Sequence, residues 1–93
     1  YTENNDELRD GELVLIDAGA ELDCYAADIT RTFPVNGRFS KAQRDIYDLV
    51  LEAQLAAIEQ VQVGNSWDAP HQAAVEVLTR GLLRLGLLDG KLK

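Results

Sequence analysis

The chain has 93 residues, of which 46% are hydrophobic, and its 16 acidic and 9 basic residues give a net charge of −7. This composition indicates a folded chain that forms one small domain or part of a larger one. The negative charge argues against nucleic acid as a partner, since nucleic-acid binding needs a basic surface, and against docking on anionic membranes. No apolar run reaches the roughly 18 residues of a membrane span.

The first residue, the methionine count and the cysteine count indicate where the chain comes from. It begins at Tyr1 and contains no methionine, which predicts a processed or excised piece of a longer protein. Its single cysteine, Cys24, cannot form an internal disulfide. The cysteine count therefore favours a reducing compartment, and we expect the cytoplasm.

The first third of the chain predicts an antiparallel β-hairpin. Asp10-Gly11 is a turn signal, and Glu12 to Ala18 then predicts a strand whose nearly continuous apolar run indicates that both faces are covered. Tyr25 to Phe33 predicts a second strand, which Pro34 closes because proline lacks the N–H of a central ladder. We place the turn between them at Leu22-Asp23.

The remainder predicts an antiparallel pair of helices. Ser40 and Gln43 match a capping box at the start of the first helix, and Gly64 ends it. Ser66 or Asp68 caps the second helix, which ends near Gly86. Apolar residues recur at three- and four-residue spacing in both helices: Ala42, Ile46, Leu49, Val50, Ala53, Ala57 and Val61, then Ala74, Val77, Leu78, Leu82 and Leu85. The fold class is therefore α+β: a hairpin or small sheet followed by two helices.

Two aspartates, Asp17 and Asp28, interrupt the apolar runs of the two predicted strands. With the turn at Leu22-Asp23 they would lie directly opposite each other, with Cβ atoms roughly 4.5–5.5 Å apart. Carboxylates so placed repel each other, and a divalent cation with oxygen ligands would relieve the repulsion. The alternative is structural, with Asp17 in a turn and Asp28 on the surface. Spacing alone leaves these two interpretations equally weighted.

Other reactive residues offer weaker candidates. His71, the only histidine, lies in the first turn of a helix and is more simply an exposed residue than a ligand. Cys24 has no neighbouring histidine to activate it, so a catalytic thiol is not expected. Arg31 points to the opposite strand face from Asp28 and is a poor counterion for it. We therefore expect no catalytic residue in the chain apart from metal ligands.

Three segments carry a specific resemblance. They are Tyr1-Thr2-Glu3-Asn4, Arg9 to Gly19 (RDGELVLIDAG) and Tyr25 to Gly37 (YAADITRTFPVNG). Together they closely resemble the Xaa-Pro aminopeptidases (aminopeptidase P), which are pita-bread metallopeptidases. The likeness covers nearly the whole chain, although the helices are generic. By this resemblance, residues 1–93 are an N-terminal piece of the catalytic domain, the first half of a pita-bread fold.

The resemblance implies a dimetal hydrolase that removes an N-terminal residue preceding proline through a metal-bridged hydroxide. Its cofactors would be two divalent ions, with manganese expected, and its substrate a peptide with proline at the second position. Asp17 matches the aspartate that chelates one metal, and Asp28 matches the one that bridges both. The remaining family ligands, one histidine and two glutamates, would lie further along the chain, and His71 does not match that histidine's motif. The family also implies that the whole protein is a homo-oligomer.

The resemblance leaves three readings of function. The first is a piece of an active Xaa-Pro metallo-aminopeptidase, and the second is a catalytically dead pita-bread relative that acts as a binding module. The third is a structural α+β domain without metal. Because two aspartates cannot hold two divalent ions alone, we expect residues 1–93 by themselves to be inactive. Many relatives carry glycine at the position of Cys24, which predicts mild backbone strain there if the turn requires a positive φ.

Overall fold

The computed structural model describes residues 5–90. The tetrapeptide at residues 1–4 that contributes to the resemblance, and residues 91–93 of the predicted domain, lie outside the described residues. The chain divides into two compact units, Tyr1–Lys41 and Ala42–Lys93. The first contains the strands and the second contains most of the helical residues, so the α+β class is confirmed.

Four short strands form one interrupted hairpin in the first unit: β1 (Leu13–Ala18), β2 (Glu21–Leu22), β3 (Tyr25–Ala26) and β4 (Ile29–Pro34). β1 pairs with β4 and β2 pairs with β3, both antiparallel. The predicted second strand is thus broken at residues 27–28, and it includes Pro34, one residue beyond its predicted end at Phe33. A hydrogen bond from the Ala27 amide to the Ala20 carbonyl, at 2.8 Å, joins the two halves across the interruption.

The hairpin turn lies one residue later than predicted, at Asp23-Cys24 rather than Leu22-Asp23. Both turn residues have positive φ, 52° for Asp23 and 71° for Cys24, as a two-residue type I′ turn requires. The twist of this turn matches that of paired strands, and Asp tolerates the left-handed region. Glu21 also satisfies the Cys24 amide, which donates to its Oε1 at 3.1 Å. The turn therefore sets a register different from the predicted one.

Both faces of the hairpin are apolar and largely exposed within the described residues. Leu15 on one face of β1 is 63% exposed, and Ile16 on the other is 49% exposed. The hairpin unit by itself therefore does not supply the predicted cover over both faces. A two-stranded ladder with so little burial is marginal by itself, so the hairpin depends on further packing for its stability.

The second unit pairs α1 (Lys41–Glu59) with α2 (Ala69–Arg84). α1 starts directly after Ser40, as predicted, but ends five residues before Gly64. Asp68 occupies the residue before α2 without a side-chain cap bond, and Pro70 lies in the first turn. At the C-terminal end of α2, the Gly86 amide donates to the Leu83 carbonyl and the Leu87 amide donates to the Leu82 carbonyl. These two bonds form a Schellman motif, so the helix ends near Gly86 as predicted.

The core of the helical unit forms where the two helices touch. Leu49 and Ala53 of α1 are each 3% exposed, and Gly81 of α2 is buried. A Cβ atom added to Gly81 would overlap the Leu49 methyl groups, so the absence of a side chain there allows the helices to approach. Leu49 precedes Gly64 in the chain by about as many residues as Gly81 follows it. Because these two residues are in contact, the chain reverses direction between the helices, and the predicted antiparallel arrangement is confirmed.

The helical stripes are confirmed only in part. Leu49 and Ala53 are buried, and all five predicted positions of α2 are partly buried. Val50, by contrast, is 54% exposed and Val61 is 72% exposed. Since one residue of α1 turns the helix by about 100°, Leu49 and Val50 cannot both face a single partner helix, and Leu49 is the one that does.

Candidate metal centre

The two candidate ligands lie beside the interruption in the hairpin. Asp17 is the fifth residue of β1, and Asp28 immediately precedes β4. Both residues are exposed. The apolar residues that precede Asp17 build the strand, because their side chains favour a pleated surface, and the carboxylate then appears near its end.

The sequence predicted that Asp17 and Asp28 lie directly opposite each other, and this prediction is wrong. Asp17 pairs with Thr30, and Asp28 lies two residues before Thr30 along the chain. Moving the turn by one residue moves every cross-strand partner by two, and a shift of two preserves the face. If the β1–β4 register is continued one residue past the strand, Asp28 falls diagonal to Asp17, and diagonal residues of a regular ladder lie roughly 7–8 Å apart or somewhat less. At this spacing the two carboxylates would repel each other less, and would have more room between them, than if they were directly opposite.

Thr30 makes the one side-chain hydrogen bond to Asp17 that is found among the described residues. Its hydroxyl Oγ1 donates to Asp17 Oδ1 at 3.2 Å across the ladder. Thr30 was not among the candidate residues that the sequence indicated. The missing signal was the turn type: with a left-handed pair at Asp23-Cys24, Thr30 falls opposite Asp17.

Gly19 allows the two strands to approach between the aspartates. A Cβ atom added to Gly19 would overlap the Ala27 carbonyl oxygen and lie 3.7 Å from Asp28 Cα. Only glycine fits this approach without a backbone shift. The sequence indicated Gly19 only as the end of a segment that carries the resemblance, and its close contact is a finding of the structure.

The other candidate residues are found on β4, in the hairpin turn and on α2. Arg31 donates from Nη1 to the Thr30 carbonyl at 2.8 Å, and no ion pair to Asp17 or Asp28 is found in the described part of the chain. Cys24 is exposed in the turn with a free thiol. His71 is exposed in the first turn of α2.

Two exposed carboxylates without a cationic side-chain partner suit a hard divalent ion, because such ions prefer oxygen ligands. Within residues 5–90, no group of three or more histidine, cysteine, aspartate and glutamate side chains could hold a metal ion. The donor set therefore fits part of a divalent metal site. These two carboxylates would supply only some of the ligands, since a divalent ion needs more than two.

The family assignment rests on nearly the whole chain. Residues 1–91 match the description of metallopeptidase family M24. The chain belongs to this family. A dependence on divalent metal ions follows for the family, and the observed α+β units correspond to part of its pita-bread fold.

Relatives in the M24 family span much more sequence than this chain. The Xaa-Pro aminopeptidase of Haemophilus influenzae is 57% identical over 97% of the chain, which corresponds to 21% of the relative. The structure of Pseudomonas aeruginosa aminopeptidase PepP is 58% identical, with a TM-score of 0.93, over 98% of this chain and 21% of that one. The chain thus spans about a fifth of the relatives that it matches.

Two matching structures of Escherichia coli aminopeptidase P carry single aspartate-to-alanine substitutions. Both are 50% identical to this chain and cover 98% of it and 21% of their own, with TM-scores of 0.89 and 0.90. Their substituted positions are eleven residues apart, as are Asp17 and Asp28. The same enzyme has been solved as a zinc-substituted form with product and with the inhibitor Pro-Leu.

The two helices were also compared with the requirements of a membrane span. Among residues 5–90, neither helix combines the length and the apolar character that crossing a bilayer would require.

Proposed function

We propose that the intact protein containing this chain is a dimetal aminopeptidase that hydrolyses the bond between an N-terminal residue and a following proline. The observation that carries the proposal is the pair of aspartates at the interrupted hairpin, eleven residues apart like the substituted aspartates of the E. coli enzyme. Relatives named Xaa-Pro aminopeptidase that cover 97% of the chain support the substrate class. A peptide with proline at its second position is therefore the proposed substrate.

Asp17 and Asp28 are the proposed metal ligands of this chain, and each would hold divalent ions through its carboxylate oxygens. Divalent ions, when bound, act as Lewis acids and make water available as a nucleophile near neutral pH. Placing the carboxylates beside paired strands restricts their movement, since sites on regular elements are held more precisely than sites on loops. A diagonal placement would allow both carboxylates to reach a shared region.

Manganese is the proposed metal, and the cytoplasm is the proposed location. Support for manganese is the family resemblance together with the all-oxygen character of the two ligands, which suits hard divalent ions. Support for the cytoplasm is the single free thiol of Cys24, which fits a reducing compartment. Assembly of the whole protein into a homo-oligomer stays a prediction.

The proposal is tested with Asp28→Asn in the intact protein. This change removes one charged ligand while keeping the shape of the side chain, so we expect manganese binding to weaken strongly and Xaa-Pro cleavage to be lost. Isothermal calorimetry with manganese and a cleavage assay on a peptide with proline in second place measure the two effects. Asp23→Asn is the matched control, because it makes the same charge change in the same hairpin at a residue that tolerates asparagine.

The outcomes separate the competing functions. Equal manganese binding by Asp28→Asn and the unaltered protein would refute the assignment of Asp28. Manganese binding by the unaltered intact protein without peptide cleavage would instead favour the catalytically dead relative. Absence of both binding and cleavage would favour the structural domain.

A further inference from the structure

The hydroxyl of Thr30 has a placement that cross-strand pairing alone does not require. It lies directly opposite Asp17 in the ladder and donates to Asp17 Oδ1 at 3.2 Å. The hydroxyl is the donor in this pair and the carboxylate oxygen is the acceptor. Among the described residues the second oxygen, Oδ2, accepts no side-chain hydrogen bond. One carboxylate oxygen is thus held and the other stays available.

We propose that Thr30 is a positioning residue for the metal centre, fixing the orientation of the Asp17 carboxylate before a cation binds. This inference rests on the proposed function. Asp17 is exposed, and an exposed carboxylate without a partner samples several rotamers. A hydrogen bond from a rigid strand neighbour reduces that freedom, because threonine has a restricted χ1 angle. Partners of this kind orient metal ligands and strengthen metal binding.

The backbone around Thr30 also supports this role. Its carbonyl accepts a hydrogen bond from Arg31 Nη1 at 2.8 Å, and its neighbour Ile29 pairs with Ala18. Thr30 is therefore held inside the ladder rather than at a free end. Asp28 lies only two residues away, so one short segment contributes a proposed ligand and supports the other.

A competing account treats the Thr30–Asp17 bond as an ordinary cross-strand pair that only stabilises the hairpin. The two accounts differ in what loss of the hydroxyl changes. A purely stabilising bond affects the metal-free protein and leaves the metal affinity of the folded protein intact. A positioning bond affects metal affinity most.

The test uses the intact protein and compares Thr30→Val, Thr30→Ala and Thr30→Ser. Valine keeps the shape and strand preference of threonine without the hydroxyl, alanine provides a second variant without it, and serine restores it. Thr32→Val is the matched control: Thr32 lies two residues along the same strand face, and no side-chain hydrogen bond to it is found among the described residues. Manganese affinity is measured by calorimetry, and metal-free stability by thermal melting.

We expect Thr30→Val and Thr30→Ala to bind manganese about 10- to 100-fold more weakly, while Thr30→Ser and Thr32→Val stay near the unaltered affinity. The metal-free melting temperatures of Thr30→Val and Thr32→Val should be similar. Unaltered affinity in Thr30→Val, equal weakening in Thr30→Ser, or equal weakening in Thr32→Val would each overturn the inference. If the unaltered protein binds manganese and cleaves its peptide while Thr30→Val matches it, only the role of Thr30 fails. If the unaltered protein does neither, the proposed function fails as well.

Discussion

Replacing Gly19 with alanine should damage both the hairpin and the candidate metal centre, because the facing backbone leaves no room for a side chain at this glycine. The added methyl group would overlap the Ala27 carbonyl oxygen and crowd Asp28 Cα. The obstacle is backbone, which cannot rotate aside as a flexible side chain would. The strands must therefore separate between the two candidate ligands.

The magnitude follows from opposing terms. Alanine restricts the unfolded chain and favours folding by about 0.4–1 kcal/mol where its native conformation is accessible. Overpacking costs about 1–3 kcal/mol, and weakening the neighbouring hydrogen bond from Ala27 to Ala20 costs about 0.5–1.5 kcal/mol more. Steric overlap is the larger effect. We expect Gly19→Ala to lower the free energy of unfolding by about 1–3 kcal/mol.

Urea denaturation of the metal-free intact protein measures the stability change, and calorimetry with manganese measures the effect on the site. Gly11→Ala is the control. Gly11 has a φ of +86° and open space around it, so alanine there costs about 1–2 kcal/mol of backbone strain without steric overlap. It should lose comparable stability but keep its metal affinity.

Two results would refute this reasoning. A Gly19→Ala protein with the unaltered denaturation midpoint and metal affinity would mean that the close approach has no energetic consequence. Equal loss of metal affinity in Gly11→Ala would mean that binding follows global stability instead of the geometry beside Asp17 and Asp28.

Two further predictions concern the turn and the helix pair. Cys24→Gly should stabilise the intact protein by about 1 kcal/mol. Cys24 has a φ of 71° that glycine adopts without strain, and Asp-Gly is a preferred pair for a type I′ turn. Urea denaturation measures the change, and an unchanged or lower midpoint would contradict the prediction. Gly81→Ala should destabilise the helical unit although alanine favours a helix by about 1 kcal/mol, because the methyl group meets Leu49 at a cost of about 1–3 kcal/mol. The same denaturation measures the difference, and a more stable Gly81→Ala protein would mean that Leu49 repacks freely.

The sequence by itself determined the elements and the candidate ligands. Strand-forming residues, Pro34 and the three- to four-residue spacing of apolar positions are local signals, so the hairpin, both helices and the stop at Gly86 could be predicted from them. Asp17 and Asp28 were identifiable because aspartate is unusual in a strand. Their metal role needed the family resemblance as well, and it stays a prediction.

Only the tertiary structure decided how these residues meet. The left-handed pair at Asp23-Cys24 moved the register by two, so Asp17 lies opposite Thr30 rather than opposite Asp28. The sequence could not supply this, because hairpin register depends on which residues form the turn, and neither residue is a glycine. Nor could it identify the tight approach at Gly19, which arises where the hairpin turn brings the backbone of Ala27 against it. The candidate site thus owes its residues to the local sequence and its geometry to one two-residue turn.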